Sequence, residues 1–166
     1  MNEANTKRLY ERFPHLFRDA AKPTSESCMG CGFSCGDGRF RLIYDLSGAI
    51  EFEALKMGLD PYSEDWPRAL QVKEKFGTLA FYVSTSTRKG GFEADEPKGS
   101  MMSFRPVAGI ESIRKLVQEA ESKSAHICED CGAEGTMRTD RGWWRVRCDP
   151  CDAKRLAEHD AEMRGE

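Results

Sequence analysis

The sequence predicts an α+β protein: helices packed on a small antiparallel β-hairpin sheet, with a C-terminal four-cysteine zinc ribbon. Three observations carry that class. Apolar residues recur at helical spacing near the N-terminus, before Gly58 and again after Pro106. From Leu70 the period changes to two, as in strands. Two C-x2-C pairs, Cys128/Cys131 and Cys148/Cys151, stand 16 residues apart. The 166 residues suffice for one moderate core plus a small metal module. The expected organisation is an α+β domain over 1–122 with a flexible insertion at 84–106, a ribbon over 123–152 and a charged helical tail over 153–166.

The elements follow in order. Residues 6–18 place Leu9, Phe13, Leu16 and Phe17 on one side of a helix that Pro14 breaks or kinks. Gly36-Asp37-Gly38 reads as a turn in which Asp37 caps the next helix. That helix buries Leu42, Ile43, Leu46, Ala49, Ile50 and Ala54, and fades by Gly58. Val72, Glu74 and Phe76 then alternate with Lys73 and Lys75, and Leu79, Phe81 and Val83 with Ala80 and Tyr82. This is a hairpin turning near Phe76-Gly77-Thr78, with Val72, Phe76, Leu79 and Phe81 on its core side. The Ser-, Gly- and Lys-rich stretch 84–106 has too few apolar residues to order a long loop, and Met101 to Phe104 forms at most a short returning strand. Ile110, Ile113, Leu116, Val117 and Ala120 mark an amphipathic helix leading into the first cysteine pair. Gly142 to Cys148 alternates as the strand entering the second pair, and the tail reads as a solvated helix.

The cysteine spacing has a direct chemical reading. Each C-x2-C turn points two thiolates at one place, and a hairpin of 16 residues brings the turns together as a tetrahedral all-sulfur cage for Zn²⁺. Gly132 and Pro150 supply turn chemistry in the two knuckles. With all four positions taken by sulfur, no place is left for water or substrate, so such a zinc is structural. Free thiols and two disulfides are the alternatives, and neither explains the spacing. Seven cysteines, four of them at metal spacing, point to a reducing cytoplasm rather than a disulfide framework. Met1 to Arg8 is polar and lacks the apolar stretch of a secretory signal, and no run approaches the roughly 20 apolar residues of a membrane span. The net charge of −3 disfavours a generic nucleic-acid coat.

Cys35-Gly-Asp-Gly38, Leu42-Ile43, the run Gln71 to Gly77, and Leu79, Phe81 and Tyr82 form one ordered pattern. It continues through Ile113, Leu116, Ala120-Glu121, Ser124, Cys128-x2-Cys131-Gly132 and Gly142-Trp143 to Cys148-Asp149. Over about three quarters of its length the chain thus resembles a family of small phage and prophage zinc-ribbon proteins. That family has no settled biochemical activity, so the resemblance implies origin rather than reaction, with the host cytoplasm as the place of action. Two departures stand out: Arg39 replaces an aromatic of the family pattern, and 84–106 is longer than the family's link.

Three further groups are candidates. Cys28, Cys31 and Cys35 form C-x2-C-x3-C, a candidate second metal site if His15 or His126 supplies a fourth ligand. The plain alternative is packed or free thiols in a glycine-rich turn. Arg68, Lys73, Lys75, Arg88 and Lys89 outnumber Glu74, with Tyr82 across from the lysines, which suits a phosphate-binding sheet or simply a solvated face. Trp143, Trp144, Arg145 and Arg147 make a second basic-aromatic cluster, in which one indole is expected to pack on the knuckles or the preceding helix and the other to face a partner. No phosphate-cradling G-x-x-x-x-G-K or H-x-E motif occurs, and no histidine lies between the two C-x2-C pairs. The expectation is a non-catalytic accessory protein that binds a host or phage protein, inhibition of a host defence complex being one such role. A nucleic-acid-binding ribbon is the alternative.

Overall fold

The computed structural model describes residues 1–84, 111–139 and 142–165. Beyond Ser84, the expectations for the 84–106 insertion and for a strand at Met101 to Phe104 lie outside the described residues.

Helix α1 (Glu3–Arg12) begins where the Asn2 side chain accepts the Asn5 amide at 2.8 Å, and carries Glu3 and Arg12 at the ends its dipole favours. It stops at Phe13 instead of reaching residue 18. Pro14 has no N–H to give and forces the residue before it out of the helical region, here to φ −128° and ψ 56°. Leu16 and Phe17 still reach the core from the turns that follow, and the Leu16 carbonyl accepts the Ala69 amide at 2.8 Å.

The sheet is β1 (Phe33–Ser34), β2 (Arg68–Lys75) and β3 (Thr78–Ser84), in that order. The expected hairpin, β2 against β3, is antiparallel, while β1 adds a parallel edge through Phe33 opposite Val72. Two residues are too few for a period to show, so β1 left no mark in the sequence. Lys75 pairs with Thr78 across a two-residue turn in which Phe76 and Gly77 have φ of 51° and 80°. Such turns match the twist of the strands and favour Asn-Gly or Gly-Gly. Phe76 occupies the turn and is 67 % exposed, which corrects its expected place on the core side.

Helix α2 (Phe40–Lys56) buries Ile43, Leu46, Ile50 and Ala54 as its spacing required, leaves Leu42 and Ala49 only half-buried, and packs against α3 (Glu111–Ser124). Phe17 lies among the rings of Tyr10, Phe33 and Phe81, joining the N-terminal segment to both β1 and β3. Helix α3 covers the outer edge of β3. The Leu79 amide donates to Ser124 Oγ at 2.7 Å and the Phe81 amide to Glu121 Oε1 at 3.0 Å. Edge amides that would otherwise recruit another strand are thereby satisfied. A two-stranded ribbon, β4 (Thr136–Arg138) and β5 (Arg145–Arg147), follows, and α4 (Asp149–Arg164) completes the chain. Pro150 opens α4 rather than closing a knuckle, in keeping with the preference of proline for the first helical turn. Among the described residues no helix is long and apolar enough to cross a membrane.

Candidate metal centre and the surface beside it

The ribbon pairs Thr136 with Arg147 and Arg138 with Arg145, which holds its two cysteine-bearing ends together. In the first knuckle the Gly132 amide donates to the Cys128 carbonyl at 2.9 Å, with Gly132 at φ 82°, a conformation that suits glycine. The Glu129 amide reaches the Val146 carbonyl at 2.9 Å and fixes that knuckle to β5. The second knuckle runs from Cys148, which precedes α4, to Cys151 in its first turn.

The ligand atoms of Cys128, Cys131, Cys148 and Cys151 all lie within 4.8 Å of one another, and the Cys131 and Cys148 sulfurs are 3.6 Å apart. Tetrahedral coordination at a metal–sulfur distance of about 2.3 Å needs sulfurs about 3.8 Å apart, so the group fits a metal site. Burial works against the Cys128 thiolate, but the backbone amides of Cys148, Cys131 and Asp130 outweigh it and bring that thiol down to about 7. The Cys151 thiol moves upward because the Cys148 and Cys131 side chains crowd it. Four sulfurs this close cannot all ionise by themselves; a cation among them removes the conflict.

Among the described residues no other group of three His, Cys, Asp or Glu ligand atoms gathers in this way. Cys28, Cys31 and Cys35 therefore do not form a comparable cage. Cys31 is exposed, whereas Cys35 belongs to the core and burial pushes its thiol up to about 12. His15 packs edge-on against Tyr62 at 4.7 Å, and His126 is exposed at the end of α3.

The metal centre is built into the α+β body. Gly38 donates to the Glu129 carbonyl at 2.8 Å and Gly36 to the Glu129 carboxylate at 3.2 Å. A Cβ on Gly38 would overlap the Cys128 carbonyl oxygen and the Gly132 amide nitrogen, and one on Gly36 would sit 2.7 Å from Glu129 Cγ. The Cys35-Gly-Asp-Gly38 turn is thus a seam against which the first knuckle docks. Asp37 does not cap α2, which has no side-chain cap. Its carboxylate instead accepts the Asn2 amide at 2.8 Å and the Asn5 side chain at 3.0 Å. Burial alone would raise its pKa, but those bonds outweigh burial and hold it below the ordinary carboxylate value. Arg39, 1 % exposed, donates to the Ser124 carbonyl and, at 2.9 Å, to the Gly77 carbonyl. It joins the end of α3 to the hairpin turn. Glu129, 4 % exposed, receives Arg145 Nη1 at 3.1 Å. These roles of Arg39 and Glu129 were not visible in the sequence, where Glu129 reads as one more knuckle acid.

The basic-aromatic candidates separate. Arg147 ion-pairs with Asp130 at 2.9 Å and Asp152 at 3.9 Å, so it holds the ribbon to α4. Neither indole packs on the knuckles: Trp143 is 63 % and Trp144 51 % exposed, which corrects the expectation that one would be buried there. Both lie against the β2–β3 turn instead. Trp143 Nε1 donates to Glu74 Oε2 at 3.3 Å, and the Trp144 ring meets Phe76 edge-on at 6.3 Å. Arg145 stands 6.0 Å from the Trp143 ring centre, Lys75 5.8 Å from Phe76 and Lys73 5.7 Å from Tyr82. No family model matches the chain, and no curated protein or solved structure matches it.

Proposed function

We propose that Zn²⁺ occupies the four-cysteine site as a structural ion, and that the chain is a non-catalytic accessory protein of phage type that binds a host or phage protein. The contact surface is Phe76, Trp143 and Trp144. One observation carries this reading: three large rings lie exposed around the β2–β3 turn, contributed by two elements that meet only through the fold. Exposed apolar patches of this kind mark interaction sites, and tryptophan beside arginine is the pairing most enriched at binding hot spots. A site whose four positions are all taken by sulfur offers no place for substrate, which agrees with action by occlusion, for which inhibition of a host defence complex is a fitting role.

Elemental analysis of the purified protein should return one zinc per chain; well-folded protein without metal defeats the first half of the reading. Affinity capture from host and infected cells, repeated with a Trp143→Ala/Trp144→Ala variant, addresses the second. Capture of one protein that is lost in the double variant supports it. Retention of that protein at equal yield places the contact elsewhere. A captured oligonucleotide in place of a protein favours the nucleic-acid reading.

A further inference from the structure

We propose that Cys28 and Cys31 are a redox dithiol, separate from the metal centre, which closes to an intramolecular disulfide by exchange with a low-molecular-weight disulfide such as that of glutathione. The inference stands on its own geometry and does not depend on the partner-binding reading above.

One 3-10 turn, Cys28–Cys31, carries both thiols, and both are free. With three residues per turn and a rise of about 2 Å per residue, its first and fourth residues are eclipsed, their Cα atoms about 6 Å apart. That falls within the range of roughly 4.4–6.8 Å that a disulfide spans. The turn is held from several directions. Ser27 Oγ accepts the Met29 amide at 3.1 Å, the Gly32 amide donates to the Met29 carbonyl at 2.9 Å, and Met29 itself is fully buried. Gly30 lies so close to the preceding loop that a Cβ there would meet the Lys22 carbonyl oxygen at 2.4 Å. The backbone thus presents the two cysteines together, and closure calls for side-chain rotation rather than a new fold.

The surroundings narrow the chemistry to sulfur exchange. No third ligand atom gathers with this pair among the described residues, and two thiolates fall short of the four that a structural zinc takes. Exposure then sets the order of events, since accessible thiols react and buried ones are inert. Cys31 is exposed, Cys28 is half-buried, and Cys35 is a core residue whose thiol burial pushes up to about 12. Cys31, as thiolate, attacks one sulfur of glutathione disulfide, forming a mixed disulfide and releasing one glutathione. Cys28 gives up its proton and attacks the Cys31 sulfur, forming the Cys28–Cys31 bond and releasing the second glutathione. Two protein thiols are oxidised, one disulfide is reduced, and the two protons end on the released glutathione. Reversible bonds of this kind are the disulfides that reducing compartments do hold.

The test uses the full chain as purified, with metal content measured before and after treatment with excess glutathione disulfide. Remaining thiols are then alkylated and the tryptic fragment between Arg18 and Arg39, which carries Cys28, Cys31 and Cys35, is analysed by mass spectrometry. That fragment should be lighter by two hydrogens, with Cys28 and Cys31 joined, Cys35 alkylated and metal content unchanged. Cys28→Ser should stop at the mixed disulfide on Cys31 and release one glutathione per chain instead of two. Cys31→Ser should slow glutathione release at least tenfold, with circular dichroism unchanged. Cys28 and Cys31 left reduced, a bond from either to Cys35, or equal rates for the parent and Cys31→Ser overturns the inference. So does oxidation confined to the four ribbon cysteines with loss of metal. None of these outcomes bears on the capture experiment, which judges the partner-binding reading separately.

Discussion

Gly38 and Gly48 are chemically identical, yet the structure assigns opposite signs to their replacement by alanine. At Gly38 a Cβ would meet only backbone of the first knuckle, the Cys128 carbonyl and the Gly132 amide, which cannot yield without opening the cage. Gly38→Ala should destabilise the protein by about 1–3 kcal/mol, as overpacking does, and weaken metal binding at the four-cysteine site with it. At Gly48, inside α2, the nearest atom is a Phe13 ring carbon at 3.7 Å, an ordinary contact. Gly48→Ala should therefore stabilise by about 0.5–1 kcal/mol through helix propensity. Urea denaturation of both variants decides; equal effects would mean that the seam between Gly38 and the knuckle is misplaced. Phe76 poses the related question of strain. A bulky residue at φ 51° in a two-residue turn is held there by its surroundings. Phe76→Asn supplies the residue such turns favour and should raise stability by about 1 kcal/mol. If Phe76 belongs to the contact surface, the same change should weaken partner binding, and gain in stability with loss of binding is the outcome to measure.

Helix α3 does more than fill the core, because Glu121 and Ser124 satisfy the outer amides of β3. Burial raises the Glu121 pKa, and the Phe81 amide and the Lys75 charge offset only part of that effect. The folded-state value therefore lies above the unfolded one, so charging Glu121 costs the native state stability. That cost is absent below the unfolded value of about 4.3 and complete once pH passes the folded value. Glu121→Gln keeps an acceptor for Phe81 without the charge. Its stability relative to the parent should rise from pH 4 to neutrality, and a difference independent of pH would show that Glu121 is not held in this environment. At this scale the sequence was largely readable. Leu42 to Ala54 and Ile113 to Ala120 are long enough for their 3.6-residue period to identify buried faces, and Val72 to Val83 long enough for a period of two. The two-residue β1 was not readable, and alternation misassigned Phe76 because turn geometry overrides strand period at the last residue. The four cysteines were readable because ligand spacing is local. The docking seam was not: Gly36, Gly38 and Glu129 are related by a contact across more than 90 residues, and a short glycine turn reads equally well as a cap.

On the scale of the whole molecule, the metal centre and the aromatic surface belong to one connected structure. Cys128 is followed by Glu129, which binds the Gly36–Gly38 turn and Arg145; Arg145 lies over Trp143; Trp143 donates to Glu74 beside the Phe76 turn. A second route runs from Arg39, next to the docking seam, to the Gly77 carbonyl. The β2–β3 turn also packs against the ribbon directly, since a Cβ at Gly77 would sit 2.5 Å from Met137 Sδ. Metal binding energy in such small modules is folding energy. Removing the metal with a chelator, or substituting Cys131→Ser, should therefore unfold the ribbon and detach Trp143 and Trp144 from the hairpin. Acrylamide should then quench these two indoles more strongly while Trp66, buried in the loop just before β2, stays protected. Amide exchange at Gly77 should accelerate with ribbon loss, whereas that of Phe81, held by Glu121, should change less. Partner affinity should fall by the same factor by which a bound partner raises metal affinity, because coupling between two sites is reciprocal. Chelation that leaves the exposed indoles and the Gly77 amide unchanged would separate the two sites. The aromatic surface would then belong to the hairpin and ribbon as packed by Arg39 and Glu129, without the metal.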